Sequence, residues 1–161
     1  MPFEPVYNEN SKILIVGTWP SPLSRANGFY YGNPQNRFWG LLARLFNAET
    51  PTTIDEKKQL ILSNGLALWD TLQSCEIRGA SDASICNEVP SDIAGLCRKA
   101  PIQRVLCNGA KAYQLYTKFQ KGCPPAVKLP STSPANAACN KDMLYEQWHK
   151  ELYKEEYFDE K

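Results

Sequence analysis

A chain of 161 residues that is 43% hydrophobic and 22% charged has the size of one globular domain and can enclose one sizeable core, so residues 1–161 are read as a single domain. No apolar run approaches the length needed to span a bilayer, and the N-terminal MPFEPVYNEN lacks the basic-then-apolar order of a signal peptide, which points to a cytoplasmic protein, nucleoid-associated or, in a eukaryote, nuclear. A formal net charge of +1 neither shows nor excludes a nucleic-acid partner, because whole-chain charge hides local clefts.

The run Lys12-Ile-Leu-Ile-Val16 stops at Gly17, and a short continuous apolar run suits a strand buried on both faces of a parallel sheet. Beyond a loop rich in Gly, Pro and Asn, the residues Phe38, Leu41, Leu42, Leu45 and Phe46 recur at helical spacing and predict a core-facing helix that begins near Asn36. A second helix over 53–63 stops at Asn64-Gly65, and Leu66-Ala-Leu-Trp69 follows as a strand. Ser91 or Asp92 caps a helix presenting Ile93, Leu96 and Cys97, ahead of the strand Arg104-Val-Leu-Cys107. Asn108-Gly109 leads into a helix burying Ala112, Leu115, Tyr116 and Phe119, then Ala126-Val-Lys-Leu129 reads as a last strand. Leu144, Trp148 and Leu152 mark a closing helix, and 154–161 read as a solvated tail. Strands alternating with helices predict a three-layer α/β/α sandwich around a parallel sheet of about four strands. Ligands of such sheets bind beyond the carboxyl ends of the strands, where the loops 17–35 and 130–138 converge.

Six cysteines, Cys75, Cys86, Cys97, Cys107, Cys123 and Cys139, contain no CxxC pair to begin a zinc or iron–sulfur site, so they read as reduced thiols and no metal or other cofactor is expected. The only histidine, His149, sits among charged neighbours in Glu146-Gln-Trp-His-Lys-Glu151, as on a solvated helix face, so Ser-His-Asp and Cys-His catalysis lack a base. Asp70 and Asp82 read as local turn caps, with Arg78 a partner for Asp82. The first loop, Gly17-Thr-Trp-Pro-Ser-Pro-Leu-Ser-Arg-Ala-Asn-Gly-Phe-Tyr-Tyr-Gly-Asn-Pro-Gln-Asn-Arg-Phe-Trp39, is too long and too aromatic for an ordinary strand-to-helix connection. It lacks the GxGxxG and GxxxxGK[ST] patterns of dinucleotide and triphosphate sites, but its prolines stiffen it and its aromatics can stack on something flat. Asn36 stands where a helix cap is expected, and Tyr31, with Phe29 and Tyr30 as weaker candidates, suits either a stacking partner or a plug at the core edge. The second loop, Pro130-Ser-Thr-Ser-Pro-Ala-Asn136, suits either close approach to DNA phosphate or a turn before the last helix.

Gly17-Thr-Trp-Pro20 and Pro34-Gln-Asn-Arg-Phe-Trp39 resemble the first motif of the mismatch-specific uracil/thymine-DNA glycosylases, except that Trp19 replaces that family's water-positioning asparagine. Together with Ala67-Leu-Trp-Asp-Thr-Leu72, Val105-Leu-Cys-Asn-Gly109 and Leu129-Pro-Ser-Thr-Ser-Pro-Ala-Asn136, they are more similar to the hypoxanthine-DNA glycosylases of the uracil-DNA glycosylase superfamily. The resemblance implies Asn36 as the catalytic residue. It places Gly17, Thr18, Trp19, Pro20, Tyr31 and Asn108 around the base, and Arg25, Ser131, Thr132, Ser133, Pro134 and Asn136 against DNA. Many relatives begin the last motif with a histidine where this chain has Leu129. The implied activity is cofactor-independent hydrolysis of the N-glycosidic bond of deoxyinosine by a monomer, on double- or single-stranded DNA. Mismatch-specific uracil or thymine removal, or an inactive DNA-binding module of the same fold, are the alternatives.

Overall fold

The computed structural model describes residues 3–19, 28–77 and 85–153. Pro20 and Arg25 of the first loop, Arg78, Asp82 and the tail 154–161 lie outside the described residues.

Four parallel strands form the central sheet: β1 (Ile13–Gly17), β2 (Leu66–Asp70), β5 (Arg104–Asn108) and β6 (Ala126–Leu129), in the order β2-β1-β5-β6. Every residue of β1 and β5 is buried, as expected for central strands covered on both faces. Successive side chains point to opposite faces of a strand. Ile13 and Ile15 accordingly join a core with helices α1 (Phe38–Leu45), α2 (Ile54–Leu62) and α5 (Lys141–Leu152), while Leu14 and Val16 face α3 (Ile93–Cys97) and α4 (Ala110–Phe119). This is the anticipated three-layer sandwich.

Local chemistry sets the helix ends. Thr53 and Glu56 form a reciprocal capping box on α2, Asp92 rather than Ser91 accepts from Gly95 N to cap α3, and Asn140 accepts from Met143 N to cap α5. Leu144, Trp148 and Leu152 are all buried, one turn apart. At the edge of the core, Arg104 is buried against Glu151, donating to its carboxylate at 3.0 Å and to its backbone carbonyl at 2.8 Å, which ties the start of β5 to the end of α5.

Two features differ from expectation. Helix α1 begins at Phe38, near Asn36 as expected, but Arg37 rather than Asn36 stands at its cap position and makes no side-chain capping bond. Strands β3 (Leu72–Ile77) and β4 (Ile85–Pro90) form an antiparallel hairpin with two register irregularities. A bulged pairing has no clean alternation of apolar and polar residues, so it is not visible as a period. Four cysteines, Cys97, Cys107, Cys123 and Cys139, are free thiols. Among the described residues no helix is long and apolar enough to cross a membrane.

The carboxyl ends of the strands lie side by side as Asp70, Gly17, Asn108 and Leu129. The helices that follow β1 pack on one face of the sheet and the helix that follows β5 on the other. Chain connections therefore diverge above Gly17 and Asn108, and this divergence opens the crevice in which open α/β sheets bind ligands.

Candidate active site

At the end of β1, a Cβ on Gly17 would stand only 2.9 Å from both Asp70 Oδ1 and the Tyr31 hydroxyl oxygen. Any side chain would push these two groups away, so glycine is required by close approach. Tyr31 itself has a positive φ of 53°, uncommon for a residue with a bulky side chain and held only where surroundings enforce it. Its ring stacks on Phe38 with centroids 4.0 Å apart and planes inclined by 25°. A stacked base could use only the opposite face. The hydroxyl is buried without a hydrogen-bond partner of acceptable geometry. Burial and the nearby Asp70 raise its pKa well above the usual phenol value, while the Asn108 amide lies near enough to oppose that rise. Phe29 and Tyr30 are core residues, with the Tyr30 carbonyl accepting from Trp39 Nε1 at 3.0 Å.

Asn36, Thr132 and Asn108 form one hydrogen-bonded chain. Thr132 Oγ1 donates to Asn36 Oδ1 at 2.7 Å and accepts from Asn108 Nδ2 at 3.1 Å, while Thr132 N donates to Asn108 Oδ1 at 3.0 Å. Phe38 N also donates to Asn36 Oδ1 at 3.0 Å. A backbone N–H can only donate, so these contacts fix both amide orientations. Both lone pairs of Asn36 Oδ1 are thus engaged. Its Nδ2 has no hydrogen-bond partner among the described residues and is the group left to meet a ligand. Thr132 was expected at the DNA surface but is fully buried, because its hydroxyl is the bridge between the two asparagines.

The bridge depends on Arg37. Its guanidinium donates to the carbonyls of Thr132 (3.3 Å), Ser133 (2.8 Å), Asn136 (3.1 Å) and Cys139, and its own N–H donates to Thr132 O at 3.1 Å. Trp148 Nε1 holds the other end of the loop through Pro130 O at 3.0 Å. Within the loop, Ser131 Oγ accepts from Ser133 N, Ser133 Oγ accepts from Ala135 N, and Asn136 Nδ2 donates to Ser131 O. These residues shape the turn, with Pro134 exposed at its tip and Ser131, Ser133 and Asn136 half-buried. The loop also presses on the β5–α4 turn, where Gly109 has φ 101° and a Cβ would meet that of Ser131 at 3.2 Å.

The profile of the uracil DNA glycosylase superfamily matches residues 4–159. The chain belongs to the uracil DNA glycosylase superfamily. Two curated proteins named hypoxanthine DNA glycosylase are similar to it. That of Methanosarcina acetivorans is 36% identical over 143 residues, which are 87% of this chain and 90% of the relative. The one from Methanosarcina barkeri is 32% identical over 112 residues, 68% of this chain and 71% of the relative. A solution NMR structure of a candidate uracil DNA glycosylase from Methanosarcina acetivorans superposes with a TM-score of 0.79 at 31% identity, covering 95% of this chain and 98% of that one.

In this superfamily member the expected residues gather at the strand ends only in part. Gly17, Tyr31, Asn36, Asn108 and Thr132 come together. Thr18 is half-buried and its carbonyl accepts from Leu72 N, whereas Trp19 packs toward Leu72, Leu115 and Phe119. An open groove of about 990 Å³ runs from Tyr31 and Asn36 along α1 past Arg44, Lys57 and Lys141; its cations suit a polyanion, but the strand ends do not line it. His149 is exposed between Tyr145 and Tyr153.

Two residues escape a reading of the sequence. Arg37 looks like an ordinary charge before a helix. Asp70 looks like a turn cap, yet it is 6% exposed, and no hydrogen bond or ion pair reaches its carboxylate among the described residues. Burial pushes its pKa from 3.8 up to about 7.

Arg37→Ala should lower stability to urea by about 2–4 kcal/mol, because several carbonyls lose a charged donor at once, and Arg37→Lys should restore part of the loss. An alanine variant as stable as the parent would show that the loop holds without the fork. For Asp70, the folded chain binds more protons than the unfolded one between the two pKa values. Stability should therefore fall as pH rises from about 4 to 7 and level off above, by at most about 4 kcal/mol. Thermal unfolding across this range should show the slope in the parent and its loss in Asp70→Asn; equal slopes would mean that Asp70 is solvated.

Proposed function

We propose that this glycosylase hydrolyses the N-glycosidic bond of deoxyinosine in DNA. The observation that carries the reading is the Asn36–Thr132–Asn108 chain at the crevice above β1 and β5, which aims one free amide donor at a fixed point. The choice of hypoxanthine is supported by the names of the two Methanosarcina relatives.

The nucleotide leaves the stack at a cost of about a few kcal/mol, least for poorly paired lesions. The C1′–N9 bond then breaks with its electron pair going to the base, and the sugar becomes an oxocarbenium ion. Water adds its oxygen to C1′ and releases a proton to solvent. Asn36 Nδ2 donates to that water and orients it. The amide does not deprotonate the water, since its oxygen is already occupied by Phe38 N–H and the Thr132 hydroxyl. An oxocarbenium ion is captured by a placed water, and the part of the amide is to hold that water where C1′ becomes open to attack. Leu129, buried where many relatives carry histidine, offers no group to the departing base.

Gly17 and Tyr31 border the base, with Thr18 next to Gly17 in sequence, whereas Trp19 packs toward Leu72, Leu115 and Phe119. Arg25, Ser131, Ser133, Pro134 and Asn136 contact the DNA backbone, the loop entering by its exposed tip at Pro134. The chain works as one domain and as a monomer.

Duplexes carrying single hypoxanthine, uracil, xanthine or mismatched thymine, incubated with the protein and a chelator and then cleaved at abasic sites by alkali, test the reading. Hypoxanthine DNA should break fastest. Asn36→Asp keeps both acceptor contacts and so the fold, but loses the donor, and its single-turnover rate should fall by about 100-fold or more. Faster uracil release, or a fully active Asn36→Asp, would overturn the assignment.

A further inference from the structure

Building on the proposed hypoxanthine release, we propose that Asp70 and the Tyr31 hydroxyl form an acceptor–donor pair that reads the N–H/C=O edge created when a base is deaminated. In hypoxanthine this edge is N1–H beside O6. Adenine presents the reverse, a bare N1 beside an N6 amino group.

The geometry begins at Gly17, over which Asp70 Oδ1 and the Tyr31 hydroxyl oxygen both approach within 2.9 Å of the point a Cβ would occupy. Both are buried and neither has a hydrogen-bond partner among the described residues. A buried carboxylate without a partner is costly and is retained where a ligand supplies the missing contact. Tyr31 stays protonated, since burial and Asp70 both disfavour its ionised form, so it is a donor beside an acceptor.

Distance along the strand ends favours reading over catalysis. Asp70 and Asn108 are separated by β1, about 10 Å at the usual strand spacing. Asn36 and Thr132 lie on the Asn108 side. A purine whose C1′ is held at Asn36 turns its six-membered ring, with N1 and O6, toward Asp70 and Tyr31. In its ionised form Asp70 accepts N1–H, and Tyr31 donates to O6. Adenine in the same place sets two acceptors, the ionised Asp70 and its bare N1, against each other; the Tyr31 hydroxyl can still accept from N6–H, so the rejection falls on Asp70. Uracil carries the same edge as N3–H beside O4, and xanthine and guanine keep N1–H beside O6. The pair therefore sorts oxo from amino bases, while stable pairing in the duplex protects guanine and thymine from extrusion.

The decisive comparison is single-turnover release of hypoxanthine, N1-methylhypoxanthine and adenine from otherwise identical single strands. The parent should release N1-methylhypoxanthine at least about 100-fold more slowly than hypoxanthine. Asp70→Asn should lower hypoxanthine release about 10- to 100-fold and shrink the preference over adenine, because its amide can turn a donor toward adenine N1. Asp70→Ser, with room for the methyl group, should bring the two hypoxanthines close to parity. Tyr31→Phe should slow hypoxanthine release but keep the penalty for N1-methylation. Equal release of both hypoxanthines by the parent overturns the proposal without any variant. So does an Asp70→Asn that changes only thermal stability, which would make Asp70 and Tyr31 a structural pair. A parent that releases uracil and not hypoxanthine overturns the substrate assignment instead. N3-methyluracil then tests the Asp70 contact: release slower than that of uracil supports it, and equal release overturns it. No release of any base overturns both.

Discussion

Arg37 closes helix α1 at its amino end and at the same time donates to four carbonyls of the loop that follows β6, and the whole site rests on that fork. The loop cannot satisfy its carbonyls by sheet pairing. Pro130 and Pro134 lack the N–H a strand would donate, and the turn between them points several oxygens inward. Buried carbonyls need donors, and only a guanidinium offers enough of them in one rigid fork. Because the fork belongs to the residue after Asn36, satisfying the loop also brings Thr132 against the Asn36 amide. A packing requirement and the placement proposed for catalysis are met by the same contact.

With that frame closed, the distribution of unsatisfied polar atoms becomes informative. The amide of Asn108, the hydroxyl of Thr132 and the oxygen of Asn36 are all engaged within the chain. Three groups along the strand ends are not: Asn36 Nδ2, the Tyr31 hydroxyl and the Asp70 carboxylate. Each is costly or idle in the folded chain and useful only against something placed above Gly17 and Asn108. Among the described residues the other buried unpaired hydroxyl, Ser91 Oγ, belongs to a residue whose carbonyl accepts from Gln120 on the α4 side of the sheet, away from this row.

Much of the frame was legible in the sequence because it is periodic. The five-residue β1, the turn-spaced Leu144, Trp148 and Leu152, and the stop at Asn64-Gly65 are local patterns that burial enforces wherever they occur. The β3–β4 hairpin was not legible, since its register slips remove the alternation that marks a strand. Thr132 and Asp70 were misjudged for a related reason. A small hydroxyl in a Ser/Pro loop and an aspartate after an apolar run are both polar residues at ends of elements, where exposure is the usual outcome. Their burial is decided by residues far along the chain, Asn36 and Asn108 for the one, Gly17 and Tyr31 for the other. The family resemblance singles out Asn36 and Tyr31, but which atoms of them are free follows only from their partners.

Asn36 stands one residue ahead of the cap of α1, and its side-chain oxygen is held by a turn contact from Phe38 N–H together with the Thr132 hydroxyl. An asparagine with a free oxygen could rotate and exchange its two ends, presenting acceptor or donor to the substrate with similar ease. Once the oxygen is pinned by a group that can only donate, the amide has one orientation, and its two ends do not exchange. These two contacts supply the preorganisation on which the water orientation proposed for Asn36 depends.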